Sequence, residues 1–180
     1  MQAFSPEGKY GQWLLEQPFV LQLNDMIFTH GGLSPQLREK SVGQLDKRLK
    51  QELTRYISAR DKFLAQSKIF PGVPFTQLRA DIKTLAKQSS SKLVKKLRKQ
   101  FDNLLFSDHS PIWYRGGAYC HAFYEQQNLE GLLQRFGATK LFVGHSVTPT
   151  RKVTTRFDEQ LYMLDTGMNK KAYRGNATIV

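Results

Sequence analysis

The sequence predicts a mixed α/β protein that carries a basic helical insertion in its middle. Short apolar runs typical of strands lie in both flanks of the 180-residue chain, whereas apolar residues in the middle recur at the three- and four-residue steps of a helix. The charge follows the same division: residues 36–106 hold 17 Lys and Arg against 6 Asp and Glu, which is +11 of the net charge of +12. We therefore expect a basic helical module within a nearly neutral α/β body.

A β-hairpin is predicted near the start of the chain. Residues 19–23 and 26–29 are mostly apolar, and Asn24 and Asp25 between them tolerate the positive φ of a tight turn. The second strand would end directly before His30.

The other flank combines one helix with three strands. An apolar pattern of helical period predicts a helix over residues 122–135, and Gly137 is of the residue type that most often ends a helix. Short β-prone runs predict strands at residues 140–143, 153–157 and 161–164.

Two amphipathic helices are predicted in the middle segment. One apolar stripe runs over residues 42–66, after which Pro71, Gly72 and Pro74 are expected to end the helix. A second stripe follows the potential capping serines at residues 89–91. Its members are Leu93, Leu97, Phe101, Leu104 and Leu105.

Composition argues against several classes of protein. Cys120 is the only cysteine, which excludes an internal disulfide and a multi-cysteine metal site, and we expect its side chain to be buried. No apolar run approaches the roughly 20 residues of a membrane-spanning helix, and the first ten residues lack the pattern of a signal peptide. These observations predict a soluble protein of the cytoplasm.

Two histidines are candidate metal ligands. His30 follows an apolar run and precedes Gly31 and Gly32, while His145 follows another apolar run and is preceded by Gly144. Neutral imidazole binds divalent metals of the Mn, Fe or Zn type, and glycines leave room for a metal and a phosphate against the backbone. Each histidine alone is consistent with a structural, hydrogen-bonded role, but the repeated pattern favours one shared site.

An arginine and an aspartate extend this candidate site. Arg115 follows the aromatic pair Trp113 and Tyr114 and precedes two glycines, and its planar guanidinium matches two phosphate oxygens. The alternative is a surface arginine packed on Trp113. Asp165 ends a predicted strand, where its carboxylate would either orient a metal-bound histidine from outside the coordination shell or cap a turn.

Several segments resemble one protein family in sequence and in order. His-Gly-Gly-Leu-Ser-Pro at residues 30–35 resembles the signature of the calcineurin-like metallophosphoesterases, in particular the phosphoprotein phosphatase branch and its bacterial members of the Shewanella-like phosphatase type. Four further segments resemble the bacterial members: Gly-Lys-Tyr-Gly-Gln-Trp-Leu at 8–14, Trp-Tyr-Arg-Gly at 113–116, Val-Gly-His-Ser at 143–146 and Leu-Asp-Thr-Gly-Met at 164–168.

The resemblance implies a fold and a division of the chain. The fold would be the C-terminal part of a metallophosphoesterase β-sandwich flanked by helices. Its core segments would be residues 1–35 and 107–180, because the resemblance skips most of the middle. Residues 36–106 would form a cap-like insertion of basic helices.

The resemblance also implies a function. The parent enzyme would be a phosphoester hydrolase similar to serine/threonine protein phosphatases, with two divalent metal ions and water attack on the phosphate of a phosphorylated substrate. His30 and His145 would be ligands of the second metal, and Arg115 would hold the substrate phosphate.

Other motifs of the family are missing from this sequence. The resemblance implies Asp-x-His, Gly-Asp-x-x-Asp and Gly-Asn-His segments before His30, and none of the three occurs. Of the remaining histidines, His109 and His121 do not fit the missing roles. We therefore expect a truncated C-terminal part with at most a partial metal site and with little or no phosphatase activity as an isolated chain.

Two other functions stay open on these residues. Residues 83–99 hold seven basic residues and no acid, a pattern also typical of a non-catalytic module that binds nucleic acid or acidic partners. We favour a solvated helix face, because the same window has no aromatic side chain for base stacking. Among hydrolases, a small phosphoester or a dinucleoside polyphosphate is the alternative to a phosphoprotein substrate.

Overall fold

The computed structural model of the chain describes residues 2–67 and 72–178. Its α-helices are α1 (Lys9–Glu16), α2 (Val42–Gln66), α3 (Phe75–Gln88), α4 (Lys92–Gln100), α5 (Gly116–Tyr119), α6 (Ala122–Phe136) and α7 (Lys170–Tyr173). Its strands are β1 (Val20–Leu23), β2 (Met26–Thr29), β3 (Lys140–Val143), β4 (Thr154–Arg156) and β5 (Leu161–Met163). Residues 1–50 and 109–180 form one unit, and residues 51–108 form a second.

The strands of the first unit form a five-stranded sheet in the order β1-β2-β3-β5-β4. β1 and β2 are the predicted hairpin, with Asn24 in the turn at a φ of 54°. β2, β3 and β5 run parallel, so that Thr29 lies beside Val143 and Val143 beside Met163. β4 pairs antiparallel with β5. The carboxyl ends of the three central strands therefore lie at one edge of the sheet.

One face of this sheet is buried. Ile27, Leu141 and Leu161 form a row across the three parallel strands, and each is at most 2% exposed. Leu129 of α6 lines a small cavity together with Leu141 and Leu161, so α6 covers this face. Apolar burial on this scale is what holds the parallel strands together.

The opposite face carries a row of aromatic side chains that are half-buried. Phe28 stacks on Phe142, and Phe142 stacks on Tyr162, each with ring centroids 4.7 Å apart. Leu21 continues the row on β1 and is 40% exposed. Such a row keeps apolar surface in contact with solvent.

In the second unit, the described residues form helices and connecting turns and no strand. Its core includes Ile82 of α3 and Leu97 of α4, both 0% exposed, and four aromatic rings whose centroids lie 4.9 to 6.1 Å apart. These rings belong to Tyr56, Phe75, Phe101 and Phe106. The helical character predicted for the middle of the chain is confirmed, with α3 as an additional helix that was not predicted.

Some predicted boundaries are wrong. α4 ends at Gln100, because the chain turns at Phe101 and residues Leu104–Phe106 form a separate 3₁₀ turn. β4 ends before Phe157, whose left-handed φ of 57° stops the extended strand. Pro71, one of the residues expected to end α2, lies outside the described residues.

The prediction that Cys120 is buried is also wrong. Cys120 is exposed, because it belongs to the surface connection between α5 and α6, where neighbouring Tyr119 is 71% exposed. The mixed α/β class is confirmed, whereas a metallophosphoesterase sandwich stays a prediction. Within the described part of the chain, no helix is both long and apolar enough to cross a membrane.

Two glycines at α6 are expected to respond to alanine in opposite directions. Gly137 ends the helix at a φ of 65°, whereas Gly131 lies inside it, and a methyl group at either position meets no atom within 4 Å. We expect Gly137→Ala to lower the free energy of unfolding by about 1–2 kcal/mol, because alanine is strained in the left-handed region. Gly131→Ala should raise it by about 1 kcal/mol through helix propensity. Urea denaturation of both variants checks this, and equal signs would contradict it.

Candidate functional site

The carboxyl edge of the parallel strands brings the two candidate histidines together. His30 follows β2 directly, and His145 follows β3 after Gly144, whose N–H donates to the carbonyl oxygen of His30 at 3.2 Å. Asp165 lies two residues after the end of β5 at the same edge. Ligand sites of parallel sheets commonly lie outside such carboxyl ends.

The two imidazole rings contact each other directly. Nε2 of His30 lies 2.7 Å from Nδ1 of His145, and the ring centroids are 4.5 Å apart. Both residues are largely exposed to solvent, although the imidazole of His30 is partly buried against its neighbours. His145 adopts a left-handed φ of 61°, which costs a non-glycine residue about 1–2 kcal/mol.

The surroundings of His30 favour its neutral form. Burial lowers the pKa of this imidazole, and the neighbouring His145 and Arg115 lower it further, against a smaller opposing effect of Asp165. A lowered pKa keeps the ring unprotonated at neutral pH. Unprotonated imidazole is the form that coordinates metal ions.

The carbonyl oxygen of Pro111 links the segment before Arg115 to the residues around His30 through hydrogen bonds. It accepts hydrogen bonds from the N–H of Gly31 at 2.7 Å, the N–H of Gly32 at 3.2 Å and the hydroxyl of Thr29 at 3.1 Å. Sequence patterns do not reveal this acceptor, because every residue has a carbonyl group. The three bonds position Arg115 beside His30.

Backbone carbonyl groups hold the guanidinium of Arg115 through its Nη1. Its Nη1 donates to the carbonyl oxygens of Ile112 at 2.8 Å and Tyr114 at 3.0 Å, so the side chain is half-buried and fixed. Within the described residues, all its hydrogen bonds use Nη1. Burial lowers the pKa of Arg115, but an arginine stays charged in proteins.

Gly31 is required by the close approach of Arg115. A Cβ at Gly31 would lie 2.0 Å from Nη1 of Arg115, 2.7 Å from the carbonyl oxygen of Ile112 and 2.8 Å from that of Pro111. Two of these atoms belong to the backbone and cannot rotate away. The glycine after His30 therefore serves the arginine as much as the histidine.

A side-chain hydrogen bond next to Arg115 involves a buried carboxylate. The hydroxyl of Tyr114 donates to Oε1 of Glu125, which is only 6% exposed and belongs to α6. Burial raises the pKa of Tyr114, and its hydrogen bond to the Glu125 carboxylate raises it further. This contact fastens the segment around Arg115 to α6.

The remaining candidates have identifiable partners. Oδ1 of Asp165 accepts a hydrogen bond from the N–H of Gly167 at 2.9 Å, which is the turn-capping role considered for it. Nδ1 of His121 accepts from the N–H of Phe123 at the start of α6, and Nδ1 of His109 lies 3.1 Å from the hydroxyl of Ser34. Neither of these two histidines is part of the site.

An open depression lies beside His30. It has a volume of about 620 Å³ and reaches the ends of both β2 and β3. Its walls are mostly apolar and include Phe28, Phe142 and Leu164. The edge that carries the histidines is therefore accessible from the aromatic face of the sheet.

The histidine pair fits part of a metal site. Two nitrogen ligands of one tetrahedral ion with bonds of about 2.0–2.1 Å would lie roughly 3.3 Å apart, so the observed 2.7 Å requires a small separation of the rings. Among the described residues, no group of three or more His, Cys, Asp or Glu could hold a metal ion. The described residues thus supply two donors, about half of a tetrahedral set.

Known proteins resemble this chain in sequence and in fold. No family model matches it. Shewanella-like protein phosphatase 1 of Plasmodium berghei (strain Anka) is 23% identical over 168 residues, which cover 92% of this chain and 36% of the relative. A structure of cold-active protein tyrosine phosphatase superposes with a TM-score of 0.55 at 20% identity. Another, from a psychrophilic Shewanella species, has a TM-score of 0.52 at 18% identity.

All of these matches cover most of this chain but only part of the similar protein. Each solved structure matches over 92% of this chain and 38% of its own length. The chain therefore spans little more than a third of the relatives that it matches. Over that third, the chain resembles the Shewanella-like phosphatases in sequence and shares the fold of the cold-active protein tyrosine phosphatases, in agreement with the resemblance of its motifs.

Proposed function

We propose that this chain provides the phosphate-holding part of a metal-dependent phosphoester hydrolase. The observation that carries the proposal is the contact between His30 and His145 at 2.7 Å, beside a fixed arginine. The names of the similar proteins support a phosphatase of some kind. The dinuclear metal chemistry is our extension of the motif resemblance.

Each residue of the site would have a separate task. His30 and His145 would hold a divalent ion through the two nitrogens that now face each other. Arg115 would use its outer donors for the phosphate oxygens, since its Nη1 is occupied by backbone carbonyls. When bound, divalent metal ions supply Lewis acidity toward the phosphate and an activated water.

We propose a phosphomonoester carried by a protein as the substrate class. The curated relative is named a protein phosphatase, and the solved structures are named protein tyrosine phosphatases. The open depression of about 620 Å³ beside His30 gives room for more than a phosphate. The motifs imply a preference for phosphoserine or phosphothreonine, whereas the names of the solved structures suggest phosphotyrosine. Phosphoserine and phosphotyrosine peptides distinguish the two preferences.

The proposal is tested by the binding of inorganic phosphate with and without Mn²⁺. We expect calorimetry to detect a component that requires the metal and weakens at least about tenfold in Arg115→Gln, because a hydrogen bond to a charged group is lost. Arg55→Gln, an exposed arginine whose guanidinium bonds to Gln51, is the matched control. The absence of a Mn²⁺-dependent component, or a Mn²⁺-dependent component that is as strong in Arg115→Gln as in the unaltered chain, would overturn the proposal.

Turnover is a second measurement on the same preparation. With two nitrogen donors, we expect hydrolysis of p-nitrophenyl phosphate near the background rate even with Mn²⁺. Strong Mn²⁺-dependent hydrolysis that disappears in His30→Ala would retain the hydrolase assignment and reject the idea of a partial site.

A further inference from the structure

The second unit contains a cationic cavity that is independent of the histidine site. It has a volume of about 240 Å³ and is lined by Arg79, Lys83, Arg98, Phe101 and Asp102. Three side chains of this lining are cationic and one is anionic. Its volume is below the range of about 300–1,000 Å³ found for drug-sized ligands, so a ligand would be small.

The cations converge because of helix geometry. Arg79 and Lys83 are four residues apart on α3, so they project from the same face of that helix. Arg98 near the end of α4 and Asp102 just after it have the same spacing. Both pairs line one cavity, and the like charges of α3 repel each other there.

The side chains differ in how they are occupied. Cζ of Arg79 lies 5.9 Å from the centroid of the Phe101 ring, and its Nη2 donates to the carbonyl oxygen of Phe101 at 3.5 Å. Arg98 makes a 2.5 Å ion pair with Asp102. Among the described residues, Lys83 has no ion pair or hydrogen bond partner. Phe101 is 2% exposed and gives the cavity an apolar wall, against which charges interact more strongly than in water.

We propose that this cavity is a binding site for a phosphate-bearing anion. The guanidinium groups of Arg79 and Arg98 offer more hydrogen-bond donors than the single carboxylate of Asp102 can use, and their planar geometry matches phosphate oxygens. Lys83 adds a third positive charge. The ligand would draw Arg98 away from Asp102, so that Asp102 limits its affinity. The site requires neither a metal ion nor any residue of the histidine site.

Pyrophosphate is the probe for this site. The full chain is titrated with pyrophosphate in EDTA, and amide chemical shifts are followed by NMR. We expect saturable shifts at residues that line the cavity, with affinity about tenfold lower in Lys83→Ala, because a charged hydrogen bond is lost. Lys83→Arg should retain binding. Asp102→Asn should bind about two- to fivefold more tightly, because Arg98 is released from its ion pair.

Lys87→Ala is the matched control. Lys87 lies one turn after Lys83 on the same helix, is exposed and does not line the cavity. Equal weakening by Lys87→Ala and Lys83→Ala would mean diffuse attraction to a basic helix and would overturn the proposal, as would the absence of saturable shifts. Thermal unfolding of each variant verifies folding.

A phosphoserine peptide distinguishes the two sources of phosphate: tighter binding than pyrophosphate assigns the site to phosphorylated proteins, and weaker binding assigns it to free anions.

Discussion

Replacing His30 by alanine is expected to lower the affinity of the chain for Zn²⁺ or Co²⁺ by more than about 100-fold. Loss of a group outside the coordination shell already costs about 10–100-fold, and His30 would be one of two direct ligands. The measurement is competition with a chromophoric chelator, on protein without a histidine tag. Co²⁺ adds an absorption spectrum that reports nitrogen ligands.

His121→Ala is the matched control for this loss. His121 is also a histidine in the first unit, but its ring caps α6 and lies outside the histidine pair. We expect this variant to be slightly less stable and to bind metal as the unaltered chain does. Equal metal affinity in all three proteins would show that His30 is not a ligand.

Gly31→Ala is expected to displace Arg115 although it changes neither histidine. The added methyl group would overlap Nη1 of Arg115 and approach two backbone oxygens within 2.8 Å, one of which is the anchoring carbonyl of Pro111. Overpacking of this kind lowers the free energy of unfolding by about 1–3 kcal/mol. The metal-dependent part of phosphate binding should fall with it. Urea denaturation and calorimetry measure the two effects.

Gly144→Ala is the control for this steric effect, because it tests whether an added methyl group near the histidines is harmful without an overlap. A methyl group at Gly144 would meet only the carbonyl oxygen of His30, at an ordinary contact distance of 3.7 Å. This variant should therefore keep both stability and phosphate binding. If Gly31→Ala were equally well tolerated, the close packing of Arg115 on Gly31 would be refuted.

Elements with strong local signals were predictable from the sequence. The hairpin was marked by Asn24 and Asp25, which tolerate the turn conformation, and the end of α6 by Gly137. α2 was marked by its long amphipathic stripe. α3 was missed because Pro74 was interpreted as a break, although proline is tolerated where a helix begins and Leu78 and Ile82 follow at helical spacing.

The candidate site was predictable only where a side chain gave a signal. The repeated pattern of apolar run, histidine and glycine predicted that His30 and His145 share a site, and the structure brings them together, although their role as metal ligands stays a prediction. The Pro111 carbonyl and the left-handed backbone of His145 gave no such signal. The cationic cavity was also hidden, because its sides belong to different helices and meet only through packing.

The pairing of β2 with β3 has a consequence for the order of folding. β2 ends at Thr29 and β3 begins at Lys140, so their parallel ladder closes a long loop, and non-local pairings of this kind form slowly. Local helices and the hairpin need no such closure. The contact between His30 and His145 exists only after the two strands have aligned, so the capacity to bind a metal would be acquired late, and the imidazole pair would report completion of the sheet.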